Sequence, residues 1–353
     1  MTDCGKTLLY YEDYMAEFIK SFLGKLLEKK NNLEWKVKKL QTEVQNNFLK
    51  FMTELVRYNA SIMSDALQKM IQYACRLAFD SSQLSELEAI FNFFNVVLRY
   101  WHLPSECLNH FVIVNCIGVN KEELSQTCIQ VMRNLIGTYL GFASLLALNH
   151  IIEDETNYND KVLIRGAVFF LVQSLWGDLS NEKVFISPNS VLPAFKNLIL
   201  NQSIASTLIA LEIANGIHVF LTNIINPNNQ KSQPCFAIKS DPSDEYSGKI
   251  ILECTWEFVL DICHLLVANI ISKEPQSNKL VSMVQLLIEN LNKLLQKILS
   301  LDVFLENESS FQLNESISIA VLMSNDKFIS KIFSILELGI NYLSVNILTY
   351  FCI

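Results

Sequence analysis

Val131-Met132-Arg133-Asn134-Leu135-Ile136-Gly137-Thr138-Tyr139-Leu140-Gly141 opens the stretch whose reading decides the fold. It runs on through His150-Ile151-Ile152-Glu153-Asp154, Arg165-Gly166-Ala167-Val168-Phe169-Phe170 and Trp176-Gly177 to Ser190-Val191-Leu192-Pro193-Ala194-Phe195. Gly137 and Gly141 interrupt an apolar run, either as helix ends or as close-packing points between helices. Asp160 is placed to cap a helix that reaches Trp176, and Gly177 to end it. Polar and apolar residues are mixed here in an order that helix packing alone does not require.

Outward from this stretch, apolar residues recur at three- and four-residue spacing, the signature of amphipathic helices. Ile62, Ala66, Met70, Tyr73, Ala74 and Leu77 form one stripe. Leu87, Ile90, Phe91, Phe94, Val97 and Leu98 form another. Pro104-Ser105 marks a break with Ser105 as N-cap, and Asn120 followed by Glu123 reads as a cap with an acid in the first turn. Strand signals are poor, and Val184 to Ile186 is the only short β-like run. Helices of roughly 12–22 residues, paired over about 40, have the geometry of HEAT-type repeats. The expected fold is all-α, an α-solenoid of HEAT/armadillo-like helical hairpins wound as a right-handed superhelix.

Composition agrees. Half of the 353 residues are hydrophobic, with ten Gly and seven Pro, which suits long helices joined by short turns. Only 18% are charged and mean hydropathy is +0.25, low polarity for a surface facing water alone. A partner covering much of that surface, or a larger protein continuing it, would account for this. The net charge of −8 and pI near 5.3 lack the basic footprint of a nucleic-acid binder. Lys25, Lys29, Lys30, Lys36, Lys38 and Lys39 are a local exception, read as a solvated helix face, with contact to an acidic partner or membrane surface as the alternative.

The nine cysteines, at 4, 75, 107, 116, 128, 235, 254, 263 and 352, form no close pairs and follow no signal peptide. Reduced, buried thiols in a cytosolic protein fit that pattern. Two apolar runs test the membrane alternative. Leu208 to Ile225 carries Glu212, Asn215 and His218, and Ile332 to Ile353 carries Glu337, Asn341 and Asn346. Such groups are costly in lipid, so no stable membrane insertion is expected; the last 22 residues remain the alternative anchor.

No catalytic, cofactor-binding or metal-ligating residue is assigned. Gly5-Lys6-Thr7 lacks the upstream Gly of a phosphate loop. No C-x-x-C or H-E-x-x-H occurs, and Cys254, Cys263 and His264 read as core residues on one helix. His102 and His110 flank Cys107 without an acid to orient either. Arg133 and Arg165 sit in apolar helices, and pairing with a carboxylate such as Glu153 or Asp154 is preferred over projection toward a partner. Trp35, Trp101, Trp176 and Trp256 read as core fillers rather than binding platforms.

The residues quoted at the outset resemble the N-terminal region of the tuberin family of GTPase-activating subunits, in order and approximate spacing from about Leu98 to about Leu200. A weaker echo continues at Cys254-Thr255-Trp256-Glu257-Phe258. Four segments follow: an N-terminal helical segment at 1–80, a family-like core at 81–225, a polar linker at 226–249 and continuing solenoid helices at 250–353. The linker holds three of the seven prolines and buries too little to offset its ordering entropy. A second polar break runs from Glu306 to Asn314. The ending Thr349-Tyr350-Phe351-Cys352-Ile353 has no polar cap and reads as cut short.

The resemblance implies a non-catalytic scaffold portion that binds a hamartin-like coiled-coil protein. It also implies restraint of TOR signalling at the cytosolic face of lysosomes, with the nucleus as a further compartment. Action on a Rheb-type small GTPase would need a C-terminal activating domain that supplies an Asn, and no segment here resembles one. Ral GTPase-activating α-subunits, with a related N-terminal region, are the alternative family; a general helical-repeat adaptor is the alternative class.

Overall fold

The computed structural model describes residues 35–59, 64–176, 179, 188–200, 207–225, 245–272, 278–304 and 322–351. Among them are twelve α-helices and no strand, an all-α solenoid as the periodicity requires. In chain order they are α1 Trp35–Asn59, α2 Ser64–Asp80, α3 Leu84–Tyr100, α4 Leu108–Gly118, α5 Glu122–Ile136 and α6 Gly141–Glu153. There follow α7 Lys161–Trp176, α8 Pro188–Leu200, α9 Thr207–Ile225, α10 Glu245–Ser272, α11 Asn278–Phe304 and α12 Asp326–Phe351. Two compact units divide within α6, between Ala147 and Leu148.

In the first unit α3 packs mainly on α1 and α5, while α2 and α4 pack on each other and on that layer alike. α1, α3 and α5 form one layer, and α2 with α4 lies in the other. This alternation is what a chain of helical hairpins produces, since each hairpin contributes one helix to each layer. The stripe Leu87, Ile90, Phe91, Phe94, Val97 and Leu98 is buried along α3, as its spacing predicts. Phe94 meets Phe91 edge-on at 5.8 Å and Phe111 of α4 at 4.6 Å, which joins the two layers. Met70, Tyr73 and Ala74 are buried on α2.

Gly118 ends α4 where no side chain fits: a Cβ there would lie 2.5 Å from the Phe91 ring and 2.9 Å from Cys128 Sγ. The turn after it corrects the expected cap. Asn120 turns back, donating from Nδ2 to Cys116 O at 2.7 Å, and Lys121 occupies the N-cap of α5 without a side-chain bond. Glu122 and Glu123 still place negative charge in the first turn. Ser105 likewise begins a short 3-10 turn behind Pro104 and makes no capping bond. Gly137 closes α5 and Gly141 opens α6, so both glycines mark helix ends.

The second unit repeats the two-layer plan. α7, α9 and α11 form one layer, and α8, α10 and α12 the other. Asp160 starts this set as expected, its Oδ1 accepting from Val162 N at 3.1 Å and Leu163 N at 3.0 Å. Trp256 of α10 is fully buried against Phe220 of α9 at 5.4 Å, and Phe258 meets Phe195 of α8 at 5.8 Å. The polar residues interrupting the Leu208–Ile225 run find partners or water. Asn215 is exposed, and His218 Nδ1 accepts from Asn290 Nδ2 of α11 at 2.9 Å. Among the described residues no helix is long and apolar enough to cross a membrane.

Glu245–Lys249, taken from sequence as the end of the polar linker, are the first residues of α10. The remainder of that linker, the Gly5-Lys6-Thr7 triplet, Lys25 to Lys30, Val184–Ile186 and Glu306–Asn314 lie outside the described residues. So do Gly177, Cys352 and Ile353, and the side chains of Trp35, Trp176 and Cys254.

Candidate functional site

A group of polar residues gathers at the surface of the first unit, where α1, α3 and α5 finish. Each of these three helices carries an arginine in its last turn: Arg57, Arg99 and Arg133. Because the layer alternates with α2 and α4, the three helices run the same way and their C-terminal ends align. The arginines line one open groove of about 770 Å³ with Asn92, Asn95, Gln130, Asn134, Tyr100 and Thr138.

A continuous hydrogen-bonded chain sets the groove wall. Arg133 donates from an η nitrogen to Gln130 Oε1 at 3.0 Å, and Gln130 Nε2 donates to Asn134 Oδ1 at 3.0 Å. Asn134 Nδ2 then crosses from α5 to α3 and donates to Asn95 Oδ1 at 2.5 Å. Arg57 is held by Glu54, one turn back on α1, at 3.0 and 3.3 Å. Arg99 lies 5.7 Å from the Tyr100 ring centroid. Among the described residues neither Arg99 nor Arg133 has a carboxylate in salt-bridge range, and no acid lines the groove. On a chain of net charge −8 this is a local patch of opposite sign.

The arginines weighed from sequence therefore part company. Arg133 is exposed and pairs with no acid among the described residues, so the preference for structural pairing is corrected there: on the open groove its guanidinium is held by the Gln130 amide, one turn back on α5. Arg165, half-buried on α7, does face a carboxylate, but that of Glu212 on α9 rather than Glu153 or Asp154. Burial holds Glu212 above the ordinary carboxylate range, and Arg165 draws it back. Glu153 instead accepts from Asn149 Nδ2 at 2.7 Å, and Asp154 from Thr156 N at 2.9 Å, so each is used within its own turn. Arg57 and Arg99 were not singled out. The signal was present: three arginines about 40 residues apart, the length of a HEAT-type hairpin, each at the end of an apolar stripe.

The residues screened for chemistry are dispersed. Cys107 is buried, its Sγ 3.9 Å from Gln68 O, and burial pushes its thiol up to about 11. His102 stacks on Trp101 at 4.6 Å, while His110 points to solvent. Cys263 is buried, with its thiol pushed up to about 12, and the adjacent His264 is half-buried. Cys75, Cys116 and Cys128 are buried free thiols raised by desolvation, the opposite of what a nucleophile or metal ligand needs. Among the described residues no group of three metal-ligating side chains converges. Trp101, half-buried, and Trp256, fully buried, serve packing.

The first unit thus displays a row of cations and amides along an open groove, on an all-α solenoid whose cysteines, among the described residues, are buried. Residues 1–348 match the family model described as "Domain of unknown function (DUF3384)", and the chain belongs to that family. Its fold is also that of a solved structure described as "Structure of the TSC2 N-terminus". The two superpose with a TM-score of 0.58 over 90% of this chain and 72% of that one, at 12% identity.

Proposed function

We propose that the chain is a non-catalytic N-terminal scaffold portion of a tuberin-like GTPase-activating protein, binding a hamartin-like coiled-coil partner and contributing to restraint of TOR signalling through Rheb. The observation that carries this reading is the solenoid likeness to the TSC2 N-terminus across nine-tenths of the chain, together with the family match over residues 1–348. The open groove at the ends of α1, α3 and α5 supports binding to an extended macromolecule. An enclosed pocket, the usual form of a small-molecule site, is not its geometry. Large exposed apolar side chains point the same way: Tyr139, Phe142 and Leu146 lie at three- and four-residue spacing around the start of α6, each at least a third exposed.

On this reading the complex works on the cytosolic side, and stimulation of Rheb belongs to an activating domain elsewhere in the assembly. Acceleration of GTP hydrolysis needs a residue positioned on the transferred phosphoryl group. The chain alone should therefore leave the GTPase rate of Rheb at its intrinsic value, and a tenfold rise would overturn the non-catalytic assignment. Co-expression decides the scaffold assignment. A folded, monodisperse chain should retain hamartin through size exclusion at physiological salt, and failure to do so favours a general helical-repeat adaptor.

A further inference from the structure

Arg57, Arg99 and Arg133 have an ordinary explanation: cations in a last helical turn complement the negative end of the helix dipole. That explanation predicts the same device throughout, yet outside this layer only α6 carries one, and there it is His150 rather than an arginine. None of α7 through α12 carries a basic residue in its last turn. The α2 and α4 helices of the first unit's other layer also lack one. The arginines are confined to the three stacked helices whose ends share one groove.

Their spacing specifies what fits. Adjacent packed helices lie about 8–10 Å apart, so three in a layer set guanidiniums in a row about 20 Å long. A single phosphate group meets one of them at a time. A helix rises about 1.5 Å per residue, so side chains seven residues apart repeat every ~10.5 Å along one face. That repeat matches the interval between helices in the layer, and seven residues is also the coiled-coil heptad. Between the arginines, the Gln130–Asn134–Asn95 amides present both donors and acceptors to a polar helix face.

We propose that this arginine row receives a coiled-coil helix of the partner that carries Asp or Glu at one heptad position in three successive heptads, one carboxylate to each guanidinium. The proposal rests on the scaffold reading above and names the chemistry of its contact. Arg99 and Arg133 make the pairings first, since Glu54 already occupies Arg57. Arginine forks take carboxylates bidentately, which fixes the register of the incoming helix as well as attracting it.

Two arms test this on the full chain. In the first, a 28-residue designed helix with Glu at one heptad position is titrated by fluorescence anisotropy, beside its Glu→Gln twin and inositol hexakisphosphate as competitor. The acidic helix should bind at least tenfold tighter than the twin and weaken as salt rises. Arg99→Glu with Arg133→Glu should remove at least tenfold of that affinity at unchanged circular dichroism. Arg99→Lys with Arg133→Lys should retain part of it. Glu54→Gln, which frees Arg57, should tighten binding severalfold. Equal binding of the two helices, or no effect of charge reversal, overturns the proposal. So does displacement by inositol hexakisphosphate at a tenfold lower concentration than by unlabelled acidic helix, which would assign the groove to phosphate ligands. In the second arm the same variants are co-purified with hamartin. Retention of hamartin by the doubly reversed chain at wild-type level overturns the proposal and leaves the scaffold reading standing. Loss of hamartin by the wild-type chain counts against the scaffold reading, and the designed helix still decides the groove.

Discussion

The two compact units share one plan, two layers of helices, yet they spend their polar side chains differently. In the first, between-layer contact is aromatic: Phe94 sits between Phe91 and Phe111, and Gly118 lets the helices close. Its last-turn arginines stand at the surface, and the half-buried amides beside them make one polar bridge between helices, from Asn134 of α5 to Asn95 of α3. In the second, polar groups clamp helix to helix. Asp261 of α10 takes Lys196 of α8 at 2.9 Å on one oxygen and Lys331 of α12 on the other. Asn269 of α10 donates to Ile199 O of α8 at 3.2 Å, and Asn290 of α11 reaches both His218 and Thr222 of α9. A polar residue turned inward fixes the register between helices; one turned outward is free for a partner. The contrast sets the charged α1–α3–α5 edge of the first unit apart from the internally braced layers of the second.

The largest test of this contrast is in the first unit's core. Phe94→Ala removes a fully buried ring from three aromatic neighbours and should cost about 3–5 kcal/mol in denaturant unfolding of the full chain. Hydrogen exchange should localise the loss to residues 84–118. A cost below 1 kcal/mol would mean that aromatic packing does not organise that unit. Gly118→Ala sharpens the same point at smaller scale. The new methyl would press on a ring and a sulfur, so overpacking of about 1–3 kcal/mol is expected. Gly339 of α12 is the control. There the near contact is the flexible Cδ1 of Ile288, and helix propensity favours Ala by about 1 kcal/mol. Gly339→Ala should therefore cost less than Gly118→Ala, and the reverse order would refute the assignment of close approach to Gly118.

The bracing in the second unit is tested at Asp261. Burial and the nearby Lys196 lower the Lys331 pKa, while Glu257 pulls it up, so Lys331 depends on the acids around it. Asp261→Asn keeps the shape but leaves two lysines facing each other without their shared anion. A loss of about 1–2 kcal/mol is expected, reduced from the fully buried case because the lysines stay partly in water. Arg99→Glu in the first unit, by contrast, should change stability by no more than about 0.5 kcal/mol, as exposed substitutions do. Equal costs at the two positions would erase the distinction between bracing and displayed charge.

Helices were legible in the sequence because their evidence is periodic: the Leu87–Leu98 stripe is buried as spaced, and Asp160 caps where a helix had to start. Caps that depend on where the previous helix stops were less so. Asn120 serves the end of α4 because Gly118 lets α4 continue to that point, and no local pattern states which helix an Asn between two will cap. The arginine groove was read only at Arg133. Its other members lie one and two hairpins earlier, and only the stacking of alternate helices brings residues about 40 positions apart into one row. Arg165 shows the converse. Its need for a carboxylate followed from apolar surroundings, but the choice of Glu212 over Glu153 or Asp154 depends on which helix lies beside α7.

The smallest expected effect lies at the opposite end of α3 from Arg99, at Glu86 in its first turn. Only 5% of the residue is exposed, and Oε1 has no hydrogen-bond partner. Burial raises its pKa above the ordinary 4.5, with the Ser81 hydroxyl pulling it back. Tyr73 beside it is likewise raised by burial, to about 12, with a further contribution from the Glu86 charge. Because the folded chain holds the Glu86 proton to higher pH than the unfolded chain does, the stabilisation it provides is complete below the unfolded value. It is lost as pH rises through the folded one. Above the unfolded value the native state therefore bears the cost of either desolvating the carboxylate or keeping it protonated, which glutamine, of the same shape, does not. Glu86→Gln should raise Tm at pH 7, and its curve should converge on that of the wild type as pH falls toward 4. A lower Tm for Glu86→Gln at pH 7 would show instead that the helix N-terminus and Ser81 satisfy the charge, and that the first unit, like the second, uses an inward carboxylate as a brace.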